Sequence, residues 1–252
     1  MNEQNSYQVP DKSSSGSSGG ACRAVEPGQG IEWFKEGWQI FVKNPGVWIA
    51  ISAIMVVIFV ILNFLPVVGQ LAANLLAPAF GAGLLVGCRA LEQGEELKVE
   101  QLFAGFQRQT GSLILLGVLA LVASVVIGVI SFGVIGGSAA TGAAIGDGAG
   151  MGMAMGGFLL AMLLVLILSV PLAMALWFAP ALVVFRGLAP LDAAKASFNA
   201  CVKNVVPFLI YGFLLFVAFI VAALPFGLGF ILLLPVAAGS IYAAYMDIFE
   251  RS

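Results

Sequence analysis

The chain contains no histidine, and only 10% of its 252 residues are charged. Without histidine, the commonest general base near neutral pH and the commonest nitrogen ligand for metals are both missing. His-dependent hydrolase, zinc and haem readings therefore lose their main support. Charged residues make up about a quarter of a soluble domain, so this scarcity excludes an ordinary water-soluble fold. The formal net charge of −2 and the lack of a basic cluster exclude nucleic acid as a partner. Cysteine is sparse as well: Cys22, Cys88 and Cys201 share no close spacing and read as free thiols without a disulfide or metal role. What fills the chain is apolar. With 61% hydrophobic residues and a mean hydropathy of +1.05, it is an integral membrane protein of the all-α class, a helical bundle.

A spanning helix needs about 20 apolar residues, and six stretches qualify, near 46–67, 71–88, 112–135, 158–180, 205–224 and 228–246. In the second, Asn74, Pro78 and three glycines interrupt the apolar run, but spanning helices tolerate Gly and Pro. All eleven basic residues then fall on one side. Lys12, Arg23, Lys35 and Lys43 precede the first span, and Arg89, Lys98 and Arg108 follow the second. Arg186, Lys195 and Lys203 follow the fourth, and Arg251 ends the set. Of the acidic residues only Asp147 lies opposite. The positive-inside bias places both termini in the cytoplasm. The N-terminal stretch does not have the form of a signal peptide. Its Ser/Gly run suggests a disordered cytoplasmic tail over residues 1–29, with a docking peptide around Asn5 and Tyr7 as a lesser reading. Residues 30–252 form the six-span domain.

Before the first span, "IEWFKEGWQIFVK" places Ile31, Phe34, Trp38 and Phe41 on one helical face and Glu32, Lys35, Gln39 and Lys43 on the other. This suits an in-plane interfacial helix with Trp38 at headgroup depth and Lys43 reaching lipid phosphates. Asn44 supplies an N-cap oxygen and Pro45 fits the first helical position. The pattern returns before the fifth span in "PLDAAKASFNACVKN", with Lys203 and Asn204 in the same places. Leu65-Pro66 and Leu224-Pro225 close the corresponding spans, and Pro78 and Pro235 interrupt the returning ones. A weaker copy, "VEQLFAGFQRQT", aligns Arg108 with Lys43, and Pro171 interrupts its returning span. Three parallel repeats follow, about 31–91, 99–188 and 190–250, each an interfacial amphipathic helix and a transmembrane hairpin. Trp38, Lys43, Asn44, Arg108, Lys203 and Asn204 form the expected membrane-interface motif.

These segments, together with "LNFLPVVG" and "GCRALEQGEEL", resemble an uncharacterised family of bacterial multi-pass inner-membrane proteins. The late segment is also similar to repeats in membrane domains attached to some glycerophosphodiester phosphodiesterases, whose catalytic domain has no counterpart here. The resemblance implies location and architecture, and carries over no activity.

No ionisable residue lies near the middle of any expected span, which speaks against a proton-coupled path. Asp247, near the end of the sixth beside Tyr242 and Tyr245, reads as an interfacial carboxylate. Glu92, Glu95, Glu96 and Glu100 read as a solvated loop. The outward segment from Gly133 to Gly157 holds ten glycines and is expected to be an exposed loop, a helix contact or re-entrant segment being the alternative. Met151, Met153 and Met155 alternate there; thioethers can bind Cu(I), but apolar filler is the default reading. "GDGAGMG" lacks the preceding strand of a nucleotide fingerprint, and no Gly-x-Ser-x-Gly elbow occurs. The expectation is a non-enzymatic protein with no cofactor and no metal, in a structural, lipid-organising or docking role. Its expected partners are membrane lipids and a membrane protein or second copy. The alternative is a passage for a small or apolar solute.

Overall fold

A computed structural model describes residues 22–251, and among them every regular element is helical. Ten α-helices follow in order: α1 (Gln29–Lys43), α2 (Pro45–Asn63), α3 (Val68–Glu92), α4 (Ala104–Arg108), α5 (Thr110–Ile145), α6 (Asp147–Trp177), α7 (Ala179–Arg186), α8 (Pro190–Lys203), α9 (Val205–Ala223) and α10 (Phe230–Tyr245). A 3-10 turn, Val99–Phe103, leads into α4, and a π-turn, Met246–Glu250, ends α10. Six helical segments are long and apolar enough to span a membrane: α2, α3, α5, α6 with α7, α9, and α10 with its π-turn. The fold is an all-α membrane bundle.

Burial ranks the spans. In α10 the most apolar stretch is 61% buried within the protein and in α3 44%, against 6% for α6–α7. The first two therefore form the centre, and α6 is covered only along a stripe that includes Gly150, Gly157 and Ala161. Small residues make the central contacts possible. Gly37 of α1 lies on Val236 and Ser240 of α10 with no room for a Cβ, Gly83 of α3 lies on Leu102, and Gly117 of α5 on Leu75. Such close backbone approach is the way helices associate where lipid is as apolar as leucine.

The segment from Gly133 to Gly157 is helical, not a loop. α5 runs on to Ile145 and α6 starts at Asp147, with Gly146 at φ 70° as the only break. Gly142 and Gly150 face each other across the turn, and Gly157 lies against Ser138, each position closed to a Cβ. Glycine signals a loop in water, but here it is the residue that lets the two helices touch. Helical geometry also separates the methionines: at about 100° per residue, Met153 points away from Met151 and Met155.

The part of the expected tail within the described residues, from Cys22 to Gly28, is bound down against the bundle, and Gln29 already begins α1. Asn5 and Tyr7 lie outside the described residues.

Candidate functional site

Charged residues from α1, α3, α7 and the segments before α1 and after α10 meet at one end of the bundle, where side chains join elements far apart in sequence. At the centre is Asp247, only 4% exposed. The Arg23 guanidinium donates to its carboxylate Oδ1 and, through Nε at 2.6 Å, to its backbone oxygen. Trp33 Nε1 donates to Oδ2 at 3.1 Å. A buried carboxylate without partners would be costly, and here a cation and an indole satisfy it. Hydropathy places Asp247 near the end of the sixth apolar span. Nothing in the sequence announces Arg23, which lies among tail-like residues, or singles out Trp33 over Trp38.

Around this centre, Asn204 is almost fully buried. Its Oδ1 accepts from Val25 N at 2.8 Å, and its Nδ2 donates to Arg23 O at 3.0 Å and Ala200 O at 2.9 Å. Asn204 thus clamps the chain ahead of α1; it precedes α9 without capping it through its side chain. Asn44 does cap its helix, accepting from Val47 N at 3.4 Å, with Pro45 at the first helical position. Lys203 Nζ reaches Cys22 O at 3.4 Å, and Lys43 Nζ reaches Leu91 O at 3.5 Å near the C-terminus of α3. A lysine there suits the negative end of the helix dipole. Trp38 is half exposed, its ring tilted against that of Phe41 at 5.6 Å. Phe41 itself turns inward with Trp33, Gly37 and Ile40. Arg108 ends α4; its side chain lies outside what the structure describes.

Further links close the cluster. Arg251 forks onto both oxygens of Glu36 at 3.3 Å, a contact that raises the basicity of its guanidinium. Arg186 pairs with Glu250 at 3.2 Å, which also accepts from Tyr245 at 2.6 Å. Tyr242 donates to Glu92, which ends α3 and stays exposed like Glu95, Glu96 and Glu100. Arg89 stacks on Phe185 at 4.8 Å. Two polar clefts open at this end. One, of about 270 Å³, is bordered by Glu36, Lys43, Glu92 and Arg251, and the other, of about 560 Å³, by Arg89, Glu95, Lys98 and Glu100.

A third feature lies where α6, α8 and α9 meet. Ser197 sits in the break between α6 and α7, accepting from Phe178 N at 3.0 Å and donating to Met174 O at 2.6 Å. Cys201 donates to the same oxygen at 3.6 Å, and burial pushes its thiol up to about 12. All three cysteines are free thiols. Beside them is an apolar cavity of about 300 Å³. No group of His, Cys, Asp or Glu spaced to hold a metal occurs among the described residues.

The arrangement defines a multi-pass membrane protein whose ion pairs, among the described residues, gather at one end. Among curated proteins the chain is similar to one from Burkholderia thailandensis described as a probable inner membrane protein. The two are 28% identical over 212 residues, covering 79% of this chain and 78% of that one. No family model matches this chain. No solved structure matches it.

Proposed function

We propose that this is a non-enzymatic inner-membrane protein whose charged end faces the cytoplasm as a rigid platform for lipid headgroups or a docked membrane protein. The reading rests above all on the polar cluster around Asp247, which ties the chain ahead of α1 to the end of α10. Such a lock holds a surface in shape rather than supplying acid–base or nucleophilic chemistry. Exposed lysines at 35, 43, 98, 195 and 203 surround it, and each basic group near an anionic leaflet contributes about 1 kcal/mol of attraction. The basic bias supports the cytoplasmic orientation, and the Burkholderia protein supports the inner membrane. Within this reading α1 and α8 are interfacial helices of a unit used three times.

The passage for a solute was suggested by prolines in the returning helices. Pro78, Pro171 and Pro235 lie inside continuous helices, unlike the broken half-helices that build transporter sites. The test is crosslinked co-purification from native membranes with lipid and protein identification. A reproducible lipid class or partner attached through α1 or α8 is expected. Recovery of neither, together with solute flux in liposomes, overturns the reading.

A further inference from the structure

The cavity between α6, α8 and α9 is lined by Ala173, Trp177, Cys201, Phe208, Tyr211 and Gly212, among others, with no charged group. Its mouth lies in the apolar belt, since the bordering Val170 and Leu209 are exposed among other large hydrophobic side chains of α6 and α9. Whatever enters comes from the membrane.

Two observations say what that is. First, Trp177 Nε1 is buried and donates to no protein atom, while its ring stands edge-on to Phe208 and Tyr211 at 6.1 and 6.2 Å. The Tyr211 hydroxyl is likewise buried and without a protein partner. A buried donor without an acceptor is costly, so an apolar site with two such donors fits an apolar ligand that bears acceptor oxygens at one end. Second, Gly212 lies within α9, where glycine is among the least favourable residues, yet a Cβ there would meet nothing within 4 Å. The glycine serves no helix contact and leaves the cavity open. Trp177 ends α6 and Val205 begins α9, so the cavity sits at the level of the charged end, where the ester groups of glycerolipids lie.

We propose that this cavity holds one acyl chain of a membrane glycerophospholipid, with an ester carbonyl accepting from Trp177 Nε1 and the headgroup outside toward α8. The site deepens the reading of the charged end as a lipid platform and rests on that end lying at the membrane interface.

The full chain is reconstituted in phosphatidylethanolamine–phosphatidylglycerol vesicles containing a trace of phospholipid with a mid-chain diazirine, and crosslinks are mapped. Label is expected to concentrate on residues 170–177 and 205–212. Gly212→Leu fills open space without a clash and should cut that label at least threefold, leaving label on residues 159–166 of α6 unchanged and the melting temperature intact. Trp177→Phe keeps the cavity and should erase a preference for ester-linked over ether-linked phospholipid. Even labelling along α6 and α9, no response to Gly212→Leu, or stronger labelling by an isoprenoid diazirine each overturns the site. A headgroup-linked crosslinker tests the platform separately: label on α8 beside the cavity but none on α1 sinks the platform and spares the acyl site, whereas no label on α8 overturns the site.

Discussion

Asn44 and Asn204 follow the same Val-Lys pair and precede helices of equal length, yet their carboxamides hold different partners. Asn44 caps α2, and its loss in Asn44→Ala should cost about 1 kcal/mol. Asn204 makes three hydrogen bonds, two of them to residues 23–25. At about 1 kcal/mol net for each bond, Asn204→Ala should free the segment ahead of α1 and speed tryptic cleavage after Arg23 at least tenfold. Asn44→Ala should leave that rate unchanged; equal rates in the two variants would sink the distinction. Arg23→Ala leaves Asp247 buried with Trp33 alone. Breaking a buried pair costs about 3–5 kcal/mol, but Arg23 is 45% exposed, and solvent screening reduces the expected loss to about 2 kcal/mol. The melting temperature in detergent reads this, and Asp247→Asn, which keeps an acceptor for Trp33, should be milder. Cys201 adds a pH dependence: its thiol keeps its proton in the fold up to about 12, against an ordinary 9.0. The unfolded chain releases that proton first, so stability falls as pH rises through this window, and Cys201→Ala should melt with a shallower decline. The Asn44 cap is legible in the Asn-Pro pair, but the partners of Asn204 and Asp247 are not, because Arg23 and Asp247 lie 224 positions apart and no local pattern links them.

At the scale of elements, hydropathy was enough to find six spans, because every spanning helix must satisfy its own backbone in lipid. The returning helix α3, interrupted by Pro78, formed as a single helix all the same. The pattern failed in two places for one reason. An apolar or small face says that a helix is covered and leaves open by what. In α1 the face with Trp38 was legible, while the buried face with Trp33 and Gly37, which meet α9 and α10, lies beside it, about 100° around the same helix. In the Gly133–Gly157 segment, glycine spacing left open whether the chain folds on itself or hangs loose. The structure separates two kinds of glycine there. Gly142 and Gly150 are contacts, whereas Gly136 and Gly152 face open space. Gly37→Leu should force α1 off α10 and cost about 1–3 kcal/mol or more. Gly136→Ala should be neutral or stabilise by up to about 1 kcal/mol. Melting temperatures of the two variants check the pair, and a comparable loss in both would count against the assigned packing.

For the whole molecule, the unequal hairpins set how far each side of the bundle reaches. α9 has 19 residues and is about 28 Å long, close to the hydrocarbon thickness of about 30 Å. α5 has 36 residues and at 1.5 Å each is about 54 Å long. Even tilted by about 40°, the steep end of the usual range, it would still rise about 41 Å. With Thr110 near the charged end, α5 and α6 must carry their turn at Gly146 clear of the hydrocarbon on the opposite face. The tight Gly142–Gly150 contact allows this, because it closes the pair on itself and satisfies the backbone within each helix. Single cysteines placed in a background with Cys22, Cys88 and Cys201 replaced test both reach and orientation. Positions 44 and 204 should react with an impermeant maleimide only from the cytoplasmic side. Position 204, being buried, should react more slowly than position 44. Positions 144, 147 and 152 should react from outside, and 122 and 165 from neither. Protection of all three tip positions would mean that the long hairpin bends back into the bilayer. Reaction of position 147 from the cytoplasmic side would invert the molecule and remove the basis for reading the Asp247 end as a platform facing the cell interior.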